Sequence, residues 1–253
     1  RCTSSAASDV YKRQIMHYEE IKKNLLVLVI MGFTSISVFN SVVYYSLNYT
    51  QVLNGVLMIS TIPVFIIFFS GLFKTESIRI YQIIGVVISL LGVISIITKL
   101  DLSLLLSLKL NKGDLWMLVA MISWTTYSLL LGKKKVNLEP FIFLQTIIII
   151  GLLFLFPMYI AEVLVGKKIT LNFPVLMTIG YVVFFAGIGA YTFWNAAIKL
   201  IGPSRSGVFL HLMPIFSSLM AVFLLGEQFS FHHIIGTLLI ISGILLSSKK
   251  QTI

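Results

Sequence analysis

Long apolar stretches separated by short polar ones account for nearly the whole chain. Eight can be marked off, at about residues 24–47, 52–73, 80–98, 115–131, 141–161, 174–198, 206–225 and 231–248. Each has the length, roughly 17 to 25 residues, that a helix needs to cross a hydrocarbon core about 30 Å thick. The pattern predicts an all-α polytopic membrane protein with eight transmembrane helices. No soluble domain fits between them, because the longest connection, 99–114, has sixteen residues and seven of these are leucine.

The spans are related to one another. Pro63, Glu76, Gly85 and Gly92 recur as Pro214, Glu227, Gly236 and Gly243, each 151 positions later with no gap. This offset maps the sixth, seventh and eighth spans onto the first, second and third, and identifies an internal repeat of the kind on which secondary transporters are built. The fourth and fifth spans map to positions before residue 11, where there is no apolar sequence. The reading therefore predicts a native protein of ten helices, five per half, with this chain beginning just before the third. Equivalent spans lie five crossings apart and run in opposite directions, so the repeat is of the inverted-topology type. Glu76 is expected at the cytoplasmic side and Glu227 at the outer side.

Composition agrees with this picture. The chain is 58% hydrophobic and 11% charged, with a mean hydropathy of +1.00. Its net charge of +10 is explained by topology, not by nucleic acid, because the basic residues sit between spans. With the segment before the first span placed in the cytoplasm, the loops on that side hold eleven Lys and Arg and the opposite loops five. That bias puts both termini on the cytoplasmic side. The single cysteine, Cys2, excludes an intramolecular disulfide. Residues 1–14 are polar, lack an initiator methionine and lack a signal peptide's apolar core. They read as a cloning or assembly scar, with a natural disordered tail as the alternative.

Polar and special residues inside the spans carry the chemistry. Pro63 and Pro214 each delete a backbone hydrogen bond and free the carbonyl four residues earlier, at Ile59 and Leu210. A freed carbonyl at membrane depth must face protein or a water-lined cavity, so each proline is either a hinge or a static kink. Gly85 and Gly92 share one helix face, as do Gly236 and Gly243, and small residues on one stripe serve close helix packing in lipid. Glu76 and Glu227, at span ends, suit a structural role: stabilising the N–H groups that open the following helix or, for Glu76, pairing with Arg79. Asn40 and Tyr44, one turn apart, map by the offset to Tyr191 and Asn195, the same pair in swapped order. Ser60 maps to His211. With Trp124, Tyr127, Gln145 and Trp194, these side chains can line a partly wet substrate pocket, or serve as helix-helix hydrogen bonds and interfacial anchors. His211 is a candidate for proton coupling, with a hydrogen-bonded structural histidine as the alternative. Neither catalytic residues nor metal ligands emerge: His232 and His233 point about 100° apart on a helix, a poor metal pair without nearby acids.

Three strings carry a family resemblance. Residues 202–228, GPSRSGVFLHLMPIFSSLMAVFLLGEQ, followed by 232–246, HHIIGTLLIISGILL, resemble the last two helices of EamA-type transporters of the drug/metabolite transporter superfamily. Residues 60–77 and 83–93 resemble the same motif in the other repeat, and 113–130 is similar to the opening helix of the second repeat. The resemblance divides the chain into a partial first repeat of three helices, 15–98, and a second of five, 113–248. It implies a secondary transporter of small metabolites, amino-acid-like or drug-like, working by alternating access and most simply an exporter, with no cofactor. An ATP-hydrolysing loop of the form G-x-x-x-x-G-K-S/T is absent from the sequence. An intramembrane enzyme acting on lipid-linked substrates and a non-transporting membrane scaffold are the competing classes, and a homodimer is among the assemblies left open.

Overall fold

The computed structural model describes residues 16–106, 111–133, 136–166, 170–226 and 228–249. Residues 1–14 and Glu227, read above as a scar and a structural acid, lie outside the described residues. Among these there are helices and no strands, and eight helices are long and apolar enough to cross a membrane. They are α1 (Leu25–Ser46), α2 (Leu53–Leu72), α3 (Ile80–Ile97), α4 (Lys112–Lys133), α5 (Pro140–Leu164), α6 (Phe173–Ile201), α7 (Pro203–Leu224) and α8 (Phe231–Ser248). All eight spans anticipated from hydropathy are present. Two begin three residues earlier than hydropathy indicates, α4 at Lys112 and α7 at Pro203. Apolar patterning misses a polar first turn, whose N–H groups are satisfied by capping and not by burial.

Four of the helices are interrupted, in pairs related by the repeat. Helix α1 passes through a π-helical stretch, Phe33–Phe39, and α6 through another, Val182–Gly189. Shifted by 151, residues 33–38 coincide with 184–189. Helix α2 breaks at Ser60 and Thr61, between helical segments Val52–Ile59 and Ile62–Leu72. Helix α7 tightens into a 3₁₀ turn, Phe209–Leu212, before Met213–Leu225. Pro63 and Pro214 each sit in the first turn of the helix that resumes after the break, where a missing N–H costs nothing.

The chain divides into two compact units, one drawn from the described residues of Arg1–Ser37 and Lys133–Ala196, the other from those of Val38–Gly132 and Ala197–Ile253. In the first, α1 and α5 approach through glycine. A Cβ on Gly32 would lie 2.7 Å from the carbonyl oxygen of Ile147, and one on Gly151 would lie 3.0 Å from that of Gly32. The Ser37 hydroxyl donates to the Gly151 carbonyl at 2.7 Å. Helix α6 presents a different surface: none of its eighteen most apolar consecutive residues is buried.

The second unit is organised by α3 and α8, its most extensive helix pair. A Cβ on Gly85 would lie 2.5 Å from the Gly243 carbonyl oxygen, and one on Gly92 would lie 2.6 Å from that of Gly236. Sequence number rises along one helix as it falls along the other, so the crossing is antiparallel. It is also symmetric, since Gly85 and Gly236 are repeat equivalents, as are Gly92 and Gly243. Around it Ile67, Val86, Val93, Ile96, Val208, Ile240 and Ile244 form a buried apolar cluster. Helix α4 is tied in at its start, where the buried Asp114 accepts a hydrogen bond from the Thr50 hydroxyl at 2.6 Å. Asn111 and Asp114 exchange reciprocal backbone-to-side-chain bonds at 2.9 and 3.1 Å, a capping box. A Cβ on Gly113 would lie 2.6 Å from the Ser46 carbonyl oxygen, so glycine is required for this approach.

Gly92→Leu is expected to force α3 and α8 apart and to destabilise the protein by about 2 kcal/mol or more. Thermal denaturation of the detergent-purified variant checks this, with Gly180→Ala as the control, because a Cβ at Gly180 meets nothing within 4 Å.

Candidate functional site

The break in α2 determines the geometry at its centre. Pro63 has no N–H to give Ile59, yet the carbonyl that acquires a side-chain partner is the next one, that of Ser60. The Val64 N–H turns to Thr61 at 2.9 Å, as does that of Phe65 at 3.2 Å. This leaves the Ser60 oxygen available to His211 Nε2, 2.7 Å away, in the 3₁₀ turn of α7. Ser60 and His211 are equivalent positions of the two repeats, so this contact joins a residue to its own counterpart, as happens only beside a pseudo-twofold axis. The glycine crossing of α3 and α8 likewise pairs equivalent positions symmetrically.

The other ring nitrogen, Nδ1, lies 2.6 Å from the Ser89 hydroxyl of α3. His211 is fully buried. A carbonyl only accepts, so Nε2 carries a proton, and in the neutral ring Nδ1 accepts from Ser89. The Val86 carbonyl oxygen is 3.0 Å from the same hydroxyl. Turning the Ser89 hydrogen to Val86 would leave its oxygen free to accept from a doubly protonated ring. A rotation of one hydroxyl therefore satisfies either charge state, without movement of the helices.

The remaining pocket candidates fall into local groups. Within the second unit, Trp124 and the buried Tyr127 on α4 have ring centroids 5.5 Å apart at a tilt of 54°, and the Phe39 ring lies 4.6 Å from that of Trp124. Phe39 ends the π stretch of α1 and is followed by the half-buried Asn40. Tyr44 is 65% exposed. Within the first unit, Tyr191 and Asn195 are both buried, and the Tyr191 hydroxyl donates to the Ser35 carbonyl at 2.6 Å, inside the π stretch of α1. Trp194 is half-buried and Gln145 exposed. The swapped pairs thus differ in setting, one tyrosine bonded inside and the other outward. His211 bonds to Ser60 and Ser89 and to none of the other candidates.

Glu76 lies where sequence reading did not send it. Its carboxylate accepts the N–H of Ser204 at 3.0 Å, at the start of α7 and not of α3, the helix that follows it. The start of α3 is capped by its own Gln82, whose side chain accepts the Arg79 N–H at 2.9 Å. Among the described residues Glu76 and Arg79 form no ion pair within 4.0 Å. Sequence reading also missed Ser89, Thr50 and Asp114. The Asn-x-x-Asp spacing of a capping box was a usable signal for Asp114, whereas nothing local marks a serine that meets a histidine 122 positions away. Among the described residues no three His, Cys, Asp or Glu side chains converge on a metal position.

A profile of the EamA-like transporter family matches residues 9–98 and 111–249. This chain belongs to the EamA-like transporter family. Relatives include the uncharacterized transporter YyaM of Bacillus subtilis, 25% identical over 232 residues, which are 90% of this chain and 75% of the relative. An uncharacterized transporter of Archaeoglobus fulgidus is 27% identical over 228 residues, with 90% and 76% coverage. A solved crystal structure superposes with a TM-score of 0.71 at 17% identity, covering 93% of this chain and 84% of that one, and shares the fold. This EamA protein is accordingly a multi-pass membrane transporter of a small-molecule substrate.

Tyr191→Phe leaves the buried Ser35 carbonyl without its hydroxyl donor and is expected to cost about 1 kcal/mol of stability. A lowered denaturation midpoint relative to the parent protein, at unchanged expression in the membrane fraction, is the measurement.

Proposed function

We propose that this chain is a secondary transporter that moves small metabolites, amino-acid-like or drug-like, across the plasma membrane by alternating access, in the direction of export and with both termini cytoplasmic. The observation that carries this reading is the pairing of two broken helices, α2 and α7, through equivalent residues Ser60 and His211 beside the symmetric glycine crossing. Inverted repeats that meet at interrupted helices can exchange conformations, so that the state open to one side mirrors the state open to the other. The breaks at 60–61 and 209–212 supply the hinges, and the glycine crossing supplies the pivot. Candidate solute contacts are Asn40, Tyr44, Trp124, Tyr127, Gln145, Tyr191, Trp194 and Asn195, which mix aromatic faces with amide and hydroxyl groups. Orientation and direction rest on the distribution of basic loops and on the family resemblance.

A proton is the coupling ion assigned here, with His211 as its carrier. The ring bonds to α2 and α3; the charged residue in α2, α3 and α7 is Arg205 near the start of α7, and α8, which also packs against the 3₁₀ turn, carries His232 and His233. Ser89 lets the site accept or release a proton by hydroxyl rotation, a device suited to a group that titrates during a cycle.

The purified protein in proteoliposomes, assayed against amino acids, polar metabolites and amphipathic drugs with and without a pH gradient, is expected to give saturable flux of one of these classes that rises with the gradient. His211→Gln should abolish the gradient dependence while the protein remains monodisperse. Unchanged gradient dependence in that variant removes His211 from coupling, and a lack of saturable flux from the parent protein across the panel removes the transporter reading.

A further inference from the structure

The end of α2 and the start of α7 are joined by a contact more elaborate than helix packing requires. Helix α2 finishes with the Thr75 N–H bonded back to the Ser70 carbonyl at 2.9 Å and Lys74 in the left-handed conformation at φ 50°. This Schellman-type turn carries the chain round so that Glu76 comes to lie beneath the first residues of α7. There Pro203 has no N–H, and the carboxylate takes the next donor, the N–H of Ser204. The Ser204 hydroxyl donates to the Ser70 hydroxyl at 3.2 Å, and both serines are fully buried. Gly202, at φ 83°, is the residue against which Glu76 packs, and a Cβ there would collide with the carboxylate. Pro203 in turn sits on Gly132 at the end of α4, where a Cβ would come within 2.8 Å of the proline ring.

The repeat reproduces only half of this arrangement. Shifted by 151, Glu76 becomes Glu227, but Gly202, Pro203 and Ser204 correspond to Gln51, Val52 and Leu53, and Ser70 to Ala221. The acid is duplicated, whereas the glycine that admits it, the proline that redirects it and the two serines are not. A contact needed merely to hold inverted copies together would be expected at both ends.

We propose that Glu76, Ser70 and Ser204 form a one-sided latch that holds α2 to α7 at the cytoplasmic face and must open once per transport cycle. The latch rests on the transporter reading above. The carboxylate secures the start of α7 by a charge-assisted hydrogen bond and by its attraction to the positive end of the helix dipole. The buried pair of serine hydroxyls keeps the two helix ends in register. On the outer side the repeat keeps a backbone N–H at Leu53 but lacks the glycine, the proline and the paired serines, so the buried hydroxyl half of the latch has no counterpart there.

Two measurements on the full-length chain with Cys2→Ser test the latch. In the first, Ser204→Cys is titrated with a small cationic methanethiosulfonate. Glu76→Gln, which keeps the shape and removes the charge, should raise its modification rate about tenfold. Equal rates with Glu and Gln would overturn the assignment, and this readout needs no knowledge of the substrate. In the second, Ser70→Cys and Ser204→Cys are combined and oxidised with copper phenanthroline. The two thiols should cross-link within the monomer, and saturable flux in proteoliposomes should fall about tenfold or more and return on reduction, as expected when a gating step is blocked. Complete cross-linking with undiminished flux would make the contact static, and failure of the thiols to cross-link would contradict the geometry. If the parent protein shows no flux, the transporter reading fails by itself, and the modification rates still decide whether Glu76 holds the two helices together.

Discussion

At the crossing of α3 and α8 the two backbones lie so close that the carbonyl oxygens of Gly236 and Gly243 occupy the space a side chain would need on Gly92 and Gly85. Within a bilayer, lipid tails solvate leucine as well as another helix does, so burial of apolar side chains supplies little drive for association. Close backbone approach, with the dispersion contacts it brings, supplies it instead. Each of the four glycines meets the equivalent of its own neighbour, so this contact within the second unit is symmetric. The buried cluster of Ile67, Val93 and Ile240 is arranged around it.

Near this crossing a backbone carbonyl released by one helix break is met by a side chain held in the other. A carbonyl at membrane depth without a partner costs several kcal/mol, and interrupting two helices would be prohibitive if each had to be satisfied separately. Here the Ser60 carbonyl, freed by the turn before Pro63, is met by His211, itself held in the turn before Pro214. One break thus satisfies the other, and Ser89 completes the ring's hydrogen bonding from the helix that carries the glycines. The π stretches at equivalent places in α1 and α6 follow the same logic, since the Ser35 carbonyl within one of them is taken by the Tyr191 hydroxyl. At Ser35 and Ser60 irregular backbone occurs where a neighbouring side chain uses it.

The asymmetries matter as much as the symmetry. Glu76 binds the start of α7, while the glycine, proline and two serines that surround this bond are replaced at the equivalent positions of the repeat. Asn40 and Tyr44 differ in burial from Tyr191 and Asn195 despite the swapped correspondence. A transporter whose halves were identical in every contact would have two equally stable orientations. Local departures from the repeat allow one side to be held differently from the other.

Much of the fold was legible in the chain. Hydropathy gave the eight helices because apolar length is a local property that the bilayer reads directly, and it misplaced the starts of α4 and α7 because a capped first turn is polar. The offset of 151 identified equivalent positions, and the spacing of the glycines put them on one face. Correspondence is not contact, however. That Gly85 meets Gly243, that Ser60 meets His211, and that Glu76 caps α7 and not α3 could not be read from any window of sequence. These pairings join residues up to 158 positions apart, and they exist only once the packed helices have brought particular backbone groups within hydrogen-bonding or van der Waals distance. The chain by itself determined which segments cross the membrane and which are related. The tertiary structure decided which polar group satisfies which, because in a medium without water each must find its partner in whatever neighbour the packing supplies.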